Sequence, residues 1–192
     1  MQDVLRLFIA VELSDEIHQK LGELIRQIQP VGIKGINWVK PDNIHLTLKF
    51  LGDTPRRQVM SIIDSLAATT KGTAPFEISV EKTGCFPNPR DPKVLWVGVA
   101  PSEALLQLQK GIDQELAKLN IPTETRPFSP HLTLARISER CDLPVALRTN
   151  EKLMAFSGKV FGNVSVKRIT LFQSTLTREG SLYSPQAYIP LH

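Results

Sequence analysis

The sequence has few cysteines and no long apolar run. Its two cysteines, Cys85 and Cys141, lack the Cys-x-x-Cys spacing of zinc and redox motifs, which favours reduced thiols in a cytosolic protein over a disulfide scaffold. The apolar run between Arg6 and Glu12 is too short for a signal segment or a membrane span, and it indicates a buried strand. We therefore expect a cytoplasmic protein that is not bound to a membrane.

Basic residues are not concentrated in one segment either. The chain has 23 Lys and Arg against 19 Asp and Glu, a net charge of +4, and no basic tail. A mildly basic surface is compatible with a polyanionic ligand but does not identify one. With 192 residues, 42% of them hydrophobic, the composition is that of one globular domain or of two small lobes that share a core.

The chain contains two related halves. Residues 7–14 and 95–102 are apolar, strand-like runs that each end at a serine able to cap a helix, and an amphipathic helical pattern follows each serine. Residues 41–48 read Pro-Asp-Asn-Ile-His-Leu-Thr-Leu, and residues 127–134 read Pro-Phe-Ser-Pro-His-Leu-Thr-Leu, at an offset of 86. Each half therefore contains one copy of the tetrapeptide His-Leu-Thr-Leu.

The duplication predicts the fold. Residues 80–86 and 166–172 also match at an offset of 86, so each half has the order strand, helix, strand with the tetrapeptide, helix, strand. Because the repeat occurs only twice, a solenoid fold is excluded. We predict one α+β domain over residues 1–192, with repeats at approximately 5–90 and 93–190. Two pseudo-symmetric lobes, each a mainly antiparallel sheet with helices outside, would face each other across an active-site cleft.

The repeated tetrapeptide supplies the candidate catalytic residues. Residues two apart in a strand share a face, so His45 and Thr47 point one way, as do His131 and Thr133, while the leucines point to the core. By composition, a histidine is followed by Leu-Thr-Leu roughly once in a thousand times. In this chain two of the four histidines are followed by Leu-Thr-Leu, and they lie at matching places in the repeat.

Two histidines on opposite walls of a cleft can act together as general base and general acid, each contributing about 10²–10⁴-fold. Threonine hydroxyls can donate hydrogen bonds to an anion held between them, which favours in-line attack of water at phosphorus. A zinc site is the main chemical alternative. Zinc usually takes three or four protein ligands, and no third His, Cys or Asp accompanies the pair at a suggestive spacing, so we expect no metal.

These motifs resemble those of the 2H phosphoesterase superfamily, and within it the bacterial and archaeal RNA 2′,3′-cyclic phosphodiesterases, first described as 2′-5′ RNA ligases. The similarity extends from one end of the chain to the other. It lies in residues 6–11, 38–52, 86–90, 126–136 and 171–174.

The resemblance implies a bilobal fold with a basic central cleft, no metal or nucleotide cofactor, and opening of the cyclic phosphate to leave a 2′-phosphate. It implies that His45 is the proton donor to the leaving O3′ and that His131 is the proton acceptor that activates water. Thr47 and Thr133 would hold the phosphate oxygens. The sequence itself does not distinguish acid from base, because the two halves are nearly symmetric.

Three further residues are candidate substrate contacts. Arg136 is a basic residue typical of the second motif and could neutralise the phosphate, but strict alternation points it away from the face of His131 unless a bulge intervenes. Lys49 lies four residues after His45 and, by alternation, on its face. Phe50 either stacks on a terminal base or belongs to the core.

Other interpretations stay open at this point. The chain could act on a small cyclic phosphate, or join RNA ends by reversing ring opening, or bind RNA without catalysis, although binding does not require a matched acid and base. We expect RNA with a 2′,3′-cyclic phosphate end as the partner, with tRNA fragments as one candidate. We also expect a monomer without an obligate protein partner. The other two histidines, His18 and His192, are expected at the surface.

Overall fold

The computed structural model describes residues 3–177 and 180–192, which form four α-helices and nine β-strands. Two turns of 3₁₀ helix, Pro41–Asn43 and Arg56–Gln58, lie between these elements. In chain order the elements are β1 (Val4–Val11), α1 (Asp15–Ile28), β2 (Ile36–Trp38), β3 (Leu46–Pro55), α2 (Val59–Thr70), β4 (Phe76–Asn88), β5 (Asp91–Val99), α3 (Glu103–Ala117), β6 (His131–Ile137), α4 (Leu143–Met154), β7 (Val160–Val166), β8 (Arg168–Thr177) and β9 (Gly180–Pro190). Within the described ranges, no helix is long and apolar enough to cross a membrane.

The strands pair antiparallel in one sheet, and the two halves of the strand order correspond to each other. Their order is β7-β4-β5-β6-β3-β1-β8-β9, and β2 pairs with β6 outside this row. The centre of the row is the contact between β3 and β6, where Leu46 pairs with Leu132. We call β3, β1, β8 and β9 lobe A, and β6, β5, β4 and β7 lobe B. The predicted α+β fold with two pseudo-symmetric lobes is confirmed.

The two lobes do not coincide with the two halves of the chain. Strand β4 belongs to the first half but pairs with β5 and β7 in lobe B, whereas β8 belongs to the second half and pairs with β1 in lobe A. The helices cross over in the same way. Helices α2 and α3 pack together and against lobe A, while α1 and α4 pack against lobe B. Each lobe therefore contains elements of both halves.

Both serines that were predicted to cap helices do so. The Ser14 hydroxyl accepts a hydrogen bond from the Ile17 N–H, and the Ser102 hydroxyl accepts one from the Leu105 N–H. These bonds satisfy donors that are otherwise unpaired at a helix N-terminus. The apolar faces of the two helices are buried, with Ile17, Leu21, Leu24, Ile25 and Ile28 on α1 and Leu105, Leu108, Ile112 and Leu116 on α3.

A β-bulge follows the first tetrapeptide threonine. Thr47 pairs with Ala10 and Lys49 pairs with Ile9, which leaves Leu48 as an extra residue on β3. Because side chains alternate along a strand, one extra residue reverses the faces of the positions beyond it.

The second threonine is followed by the same kind of bulge. Thr133 pairs with Trp96 and Ala135 pairs with Leu95, which leaves Leu134 as the extra residue on β6. The four leucines of the two tetrapeptides are at most 3% exposed and belong to the core, as predicted.

The pairing also refines the relation between β1 and β5, the strands that the sequence match aligned. The capping residues Ser14 and Ser102 are 88 residues apart, as the sequence match predicted. In the sheet, however, Trp96 stands beside Thr133 in the place that Ala10 has beside Thr47. The structural offset of these strands is therefore 86, and a large aromatic side chain in lobe B takes the place of an alanine in lobe A.

Candidate active site

The two tetrapeptide histidines lie on either side of the junction between the lobes. His45 directly precedes β3, and His131 is the first residue of β6. The pairing of Leu46 with Leu132 fixes their relation. In ideal antiparallel geometry this register places the Cα atoms of the two histidines roughly 8 Å apart. That separation leaves room for a phosphate group between two imidazole rings.

The same register also relates each histidine to the threonine of the other half. In an ideal antiparallel pair the residues that flank the paired leucines lie opposite each other, so we expect His45 near Thr133 and Thr47 near His131. Because both leucines are buried, these four side chains emerge on the opposite face of the sheet. The pairing of the two tetrapeptides therefore brings their histidines and threonines to the junction between the lobes.

Each imidazole is oriented by a backbone carbonyl two residues before it. His45 Nδ1 lies 2.8 Å from the Asn43 oxygen, and His131 Nδ1 lies 2.7 Å from the Ser129 oxygen. A carbonyl oxygen only accepts hydrogen bonds, so Nδ1 carries the hydrogen in both rings. Nε2 is then the atom that can accept a proton from the neutral ring or donate one from the charged ring.

The pKa of each histidine is lowered from its usual value, mainly because burial disfavours the charged ring. The carbonyl acceptors oppose this shift. Positive charge adds to it, from His18 for the pKa of His45 and from Arg136 for the pKa of His131. Without a bound anion, both rings therefore favour the neutral form near pH 7.

Aromatic rings enclose His45. The Phe8 ring is stacked on it, with centroids 4.8 Å apart. Tyr183 presents its ring edge-on at 5.2 Å, and Phe172 lies at 6.4 Å. These rings come from three different strands of lobe A, so they converge on His45 only in the folded sheet.

Two aromatic rings flank His131. Phe86 meets it edge-on, with centroids 5.0 Å apart, and Trp96 lies at 6.4 Å. The Trp96 ring lies across Gly84, where an added Cβ would come within 2.3 Å of the indole Cζ2. Only glycine leaves space for the indole at this position.

The bulges determine where the candidate substrate contacts lie. Beyond Leu134, Arg136 returns to the face of Thr133, and it is close enough to lower the pKa of His131. The bulge that this prediction required is therefore present. In lobe A the equivalent residue is Phe50, which is 67% exposed and lies 6.1 Å from the Phe8 ring, centroid to centroid. Of the two alternatives for Phe50, the core position is wrong.

Lys49 does not lie on the face of His45. The extra residue Leu48 reverses the alternation, so Lys49 points to the core side and is 6% exposed. Its Nζ donates to the Asp113 carboxylate and to the Pro122 carbonyl. The prediction that alternation brings Lys49 to the cleft is therefore wrong, and the residue is part of a buried ion pair.

The sequence interpretation did not identify the aromatic residues around the two histidines. Phe8, Phe86, Trp96 and Phe172 are all in strand-like segments, where an aromatic side chain is also a common core residue. The two remaining histidines differ from each other. His192 is exposed as expected, whereas His18 is partly buried and is bonded to the Ile44 carbonyl. In the described part of the chain, no three His, Cys, Asp or Glu side chains are grouped as metal ligands.

Comparison with known families gives two matches within the chain. The family model described as LigT like Phosphoesterase matches residues 11–96 and again residues 97–183. The two matches begin 86 residues apart, which is the spacing of the two tetrapeptides.

Named relatives are similar over nearly the whole chain. The RNA 2′,3′-cyclic phosphodiesterase of Archaeoglobus fulgidus is 34% identical over 93% of this chain and 96% of its own length. The RNA 2′,3′-cyclic phosphodiesterase of Aquifex aeolicus is 36% identical over 94% of both chains. The crystal structure of E. coli LigT complexed with 3′-AMP has a TM-score of 0.77 and 27% identity, covering 98% of each chain.

Proposed function

Because the chain belongs to the LigT-like phosphoesterases of the 2H superfamily, we propose that it hydrolyses 2′,3′-cyclic phosphate ends of RNA and leaves a 2′-phosphate. The observation that carries this proposal is the matched pair of histidines on one face of the sheet. Each has its Nδ1 hydrogen-bonded to a backbone carbonyl, and the pairing of Leu46 with Leu132 joins the two strands that begin at or directly after these histidines. Binding alone does not require such a matched acid and base.

In the proposed reaction His131 is the base and His45 is the acid. His131 Nε2 takes a proton from water while the water oxygen forms a bond to phosphorus opposite O3′. The bond between phosphorus and O3′ breaks, and His45 Nε2 gives its proton to O3′. The Thr47 and Thr133 hydroxyls donate hydrogen bonds to the non-bridging phosphate oxygens. Proton exchange with solvent then restores both rings.

A positive charge beside His131 is compatible with its proposed role as the base. Arg136 disfavours a second positive charge on His131 and so keeps that ring neutral, the form that a base requires. A bound phosphate anion raises the pKa of both rings. The pKa of His45 is lowered as well, by burial and by the nearby His18, so its role as the acid is taken from the family resemblance.

RNA as the substrate is supported by the names of the relatives and by one wall of the site. Phe50 is largely exposed and leans on Phe8, whose ring stacks on His45. An exposed ring at this distance from the acid is a suitable platform for the terminal base. E. coli LigT, which shares the fold, has been crystallised with 3′-AMP, a nucleotide.

The proposal is tested with a short RNA that ends in a 2′,3′-cyclic phosphate, incubated with the protein in excess EDTA. We expect a 2′-phosphate product, and a loss of turnover of several orders of magnitude in both His45→Ala and His131→Ala. A 3′-phosphate product, near-normal turnover in either variant or inhibition by EDTA would contradict the mechanism. RNA that binds without turnover would indicate a binding module.

Two comparisons in the same assay address the other reactions. A nucleoside 2′,3′-cyclic phosphate that is hydrolysed better than the RNA would favour a small-molecule substrate. An added RNA with a 5′-hydroxyl tests reverse ligation, in which that hydroxyl replaces water. That the protein works as a cytoplasmic monomer, on ends such as those of tRNA fragments, stays a prediction.

A further inference from the structure

The residues that precede the two histidines are held by different donors. Ile44 and Pro130 occupy equivalent positions, each directly before its histidine. The Pro130 carbonyl accepts a hydrogen bond of 3.1 Å from the Val99 backbone N–H. The Ile44 carbonyl is 3.0 Å from His18 Nε2, and in the described residues no backbone N–H outside the strand ladders donates to it. A side chain on α1 therefore takes the place of a backbone donor.

The segment that leads into His45 is held from two sides. Helix α1 lies against it, and an added Cβ on Gly22 would be only 3.1 Å from Pro41 Cγ. On the other side, the Asn43 side-chain amide donates to the Ser181 carbonyl on β9. The Asn43 carbonyl between these contacts is the acceptor for His45 Nδ1. Any rotation of the peptide after Asn43 therefore changes the orientation of the imidazole.

We propose that His18 is a positioning residue for His45. Its Nε2–H donates to the Ile44 carbonyl and so holds the peptide between Ile44 and His45. That peptide is the neighbour of the one whose Asn43 carbonyl accepts from His45 Nδ1, so fixing it restricts rotation of both. The backbone N–H of Val99 has the corresponding function before His131. The inference rests on the proposed acid role of His45. It makes the orientation of the His45 ring dependent on a side chain that has no counterpart in the other half.

The surroundings of His18 are consistent with this function. The carbonyl partner requires a hydrogen on Nε2, so Nδ1 is left for the surface pocket beside α1. The charged groups that line this pocket are Asp15, Arg26 and Asp42. His18 is also one of the causes that lower the pKa of His45. Its removal therefore has two separable effects, the loss of a hydrogen bond and the loss of its electrostatic influence on His45.

The test compares His18→Leu, which removes the donor, with His18→Gln, whose amide can still donate to a carbonyl. The control is Leu106→Ala, at the equivalent position of α3, where the side chain is exposed. We expect His18→Leu to lower kcat about tenfold with KM nearly unchanged, because misorientation affects the reacting geometry. We expect His18→Gln to retain most of kcat and Leu106→Ala to behave as wild type.

An NMR titration of the His45 ring provides a readout that does not depend on turnover. Both variants lose the electrostatic influence of His18 on His45. We expect only the glutamine variant to keep the Asn43 carbonyl on Nδ1, a hydrogen bond that raises the pKa of His45. We therefore expect a higher pKa of His45 in His18→Gln than in His18→Leu, and no change in the titration of His131. Equal pKa values in the two variants, or wild-type kcat in His18→Leu, would overturn the inference.

The same experiment separates this inference from the proposed function. If wild-type protein does not hydrolyse the cyclic phosphate, the proposed function fails. The tautomer and pKa of His45 in the two variants still decide whether His18 positions the ring. If turnover is present but both variants lose it equally together with thermal stability, the hydrogen bond is not the cause and the inference fails alone.

Discussion

His45 meets three aromatic rings and His131 meets two, although both follow from the same repeated tetrapeptide. After the bulge in each lobe, lobe A presents Phe50 and lobe B presents Arg136. The duplication thus supplies a symmetric pair of histidines, whereas the positions around the pair have diverged. Aromatic rings can stack on a nucleobase, and a guanidinium group can bind a phosphate. In the proposed mechanism, this difference would let one duplicated unit acquire two chemical roles.

The largest expected effect tests the cationic side of this comparison. Arg136→Met removes a positive charge from the proposed phosphate site, and we expect kcat/KM to fall about 100-fold, as for the loss of one preorganised donor. Because Arg136 lowers the pKa of His131, its removal raises that pKa. The acidic limb of the rate profile, which reports deprotonation of the base, therefore moves to higher pH.

The control for this change is Arg148→Met on α4, where the guanidinium bonds to the Pro144 carbonyl of its own helix. We expect it to leave both kcat/KM and the pH profile unchanged. An acidic limb that stays in place in Arg136→Met would assign that limb to a residue other than His131.

The aromatic side is tested by Phe50→Ala. Stacking of a base on an aromatic ring contributes about 1–3 kcal/mol, so we expect KM for the RNA to rise about tenfold while kcat changes little. A cyclic phosphate without a base should not be affected, and neither should RNA in the exposed control Met60→Ala on α2. An unchanged KM in Phe50→Ala would remove the base platform from lobe A.

A smaller effect is expected from Gly84→Ala in lobe B. The added Cβ would lie 2.3 Å from the Trp96 ring, so the indole must move, and it flanks His131. We expect kcat to fall roughly fivefold, because the aromatic ring beside His131 shifts. We also expect the free energy of unfolding to fall by about 1–3 kcal/mol, because the added methyl group overpacks the site. Gly158→Ala is the matched control, since nothing lies within 4 Å of its Cβ position.

The smallest effect on turnover is expected from Lys49→Met. Its equivalent in lobe B is Ala135, so only lobe A has this buried pair with Asp113, whose side chains are 5% and 16% exposed. Loss of one partner leaves a carboxylate without its counterion, and we expect about 3–5 kcal/mol lower stability in denaturant unfolding. Activity per folded molecule should not change, and Asp113→Asn in the same chain should restore part of the stability. A raised KM in Lys49→Met would instead indicate that Lys49 contacts the substrate.

The comparison between the two lobes also shows which features were predictable. The capping serines Ser14 and Ser102 and the buried leucines of the tetrapeptides were predicted because capping and alternation depend on neighbours within a few residues. Lys49 was misplaced for the opposite reason. The bulge that moves it arises from pairing between β3 and β1, and nothing in residues 46–50 themselves reveals which partner residue is skipped.

The sequence by itself determined the duplication, the α+β fold, the identity of the two histidines and two threonines, and the family resemblance, because these features are periodic or local. Tertiary structure alone decided the exchange of β4 and β8 between the lobes, the two bulges, and the rings that enclose each histidine. It also decided that a helix side chain, His18, bonds to the Ile44 carbonyl. Such contacts join residues far apart in the chain, so they exist only once both lobes have packed against each other.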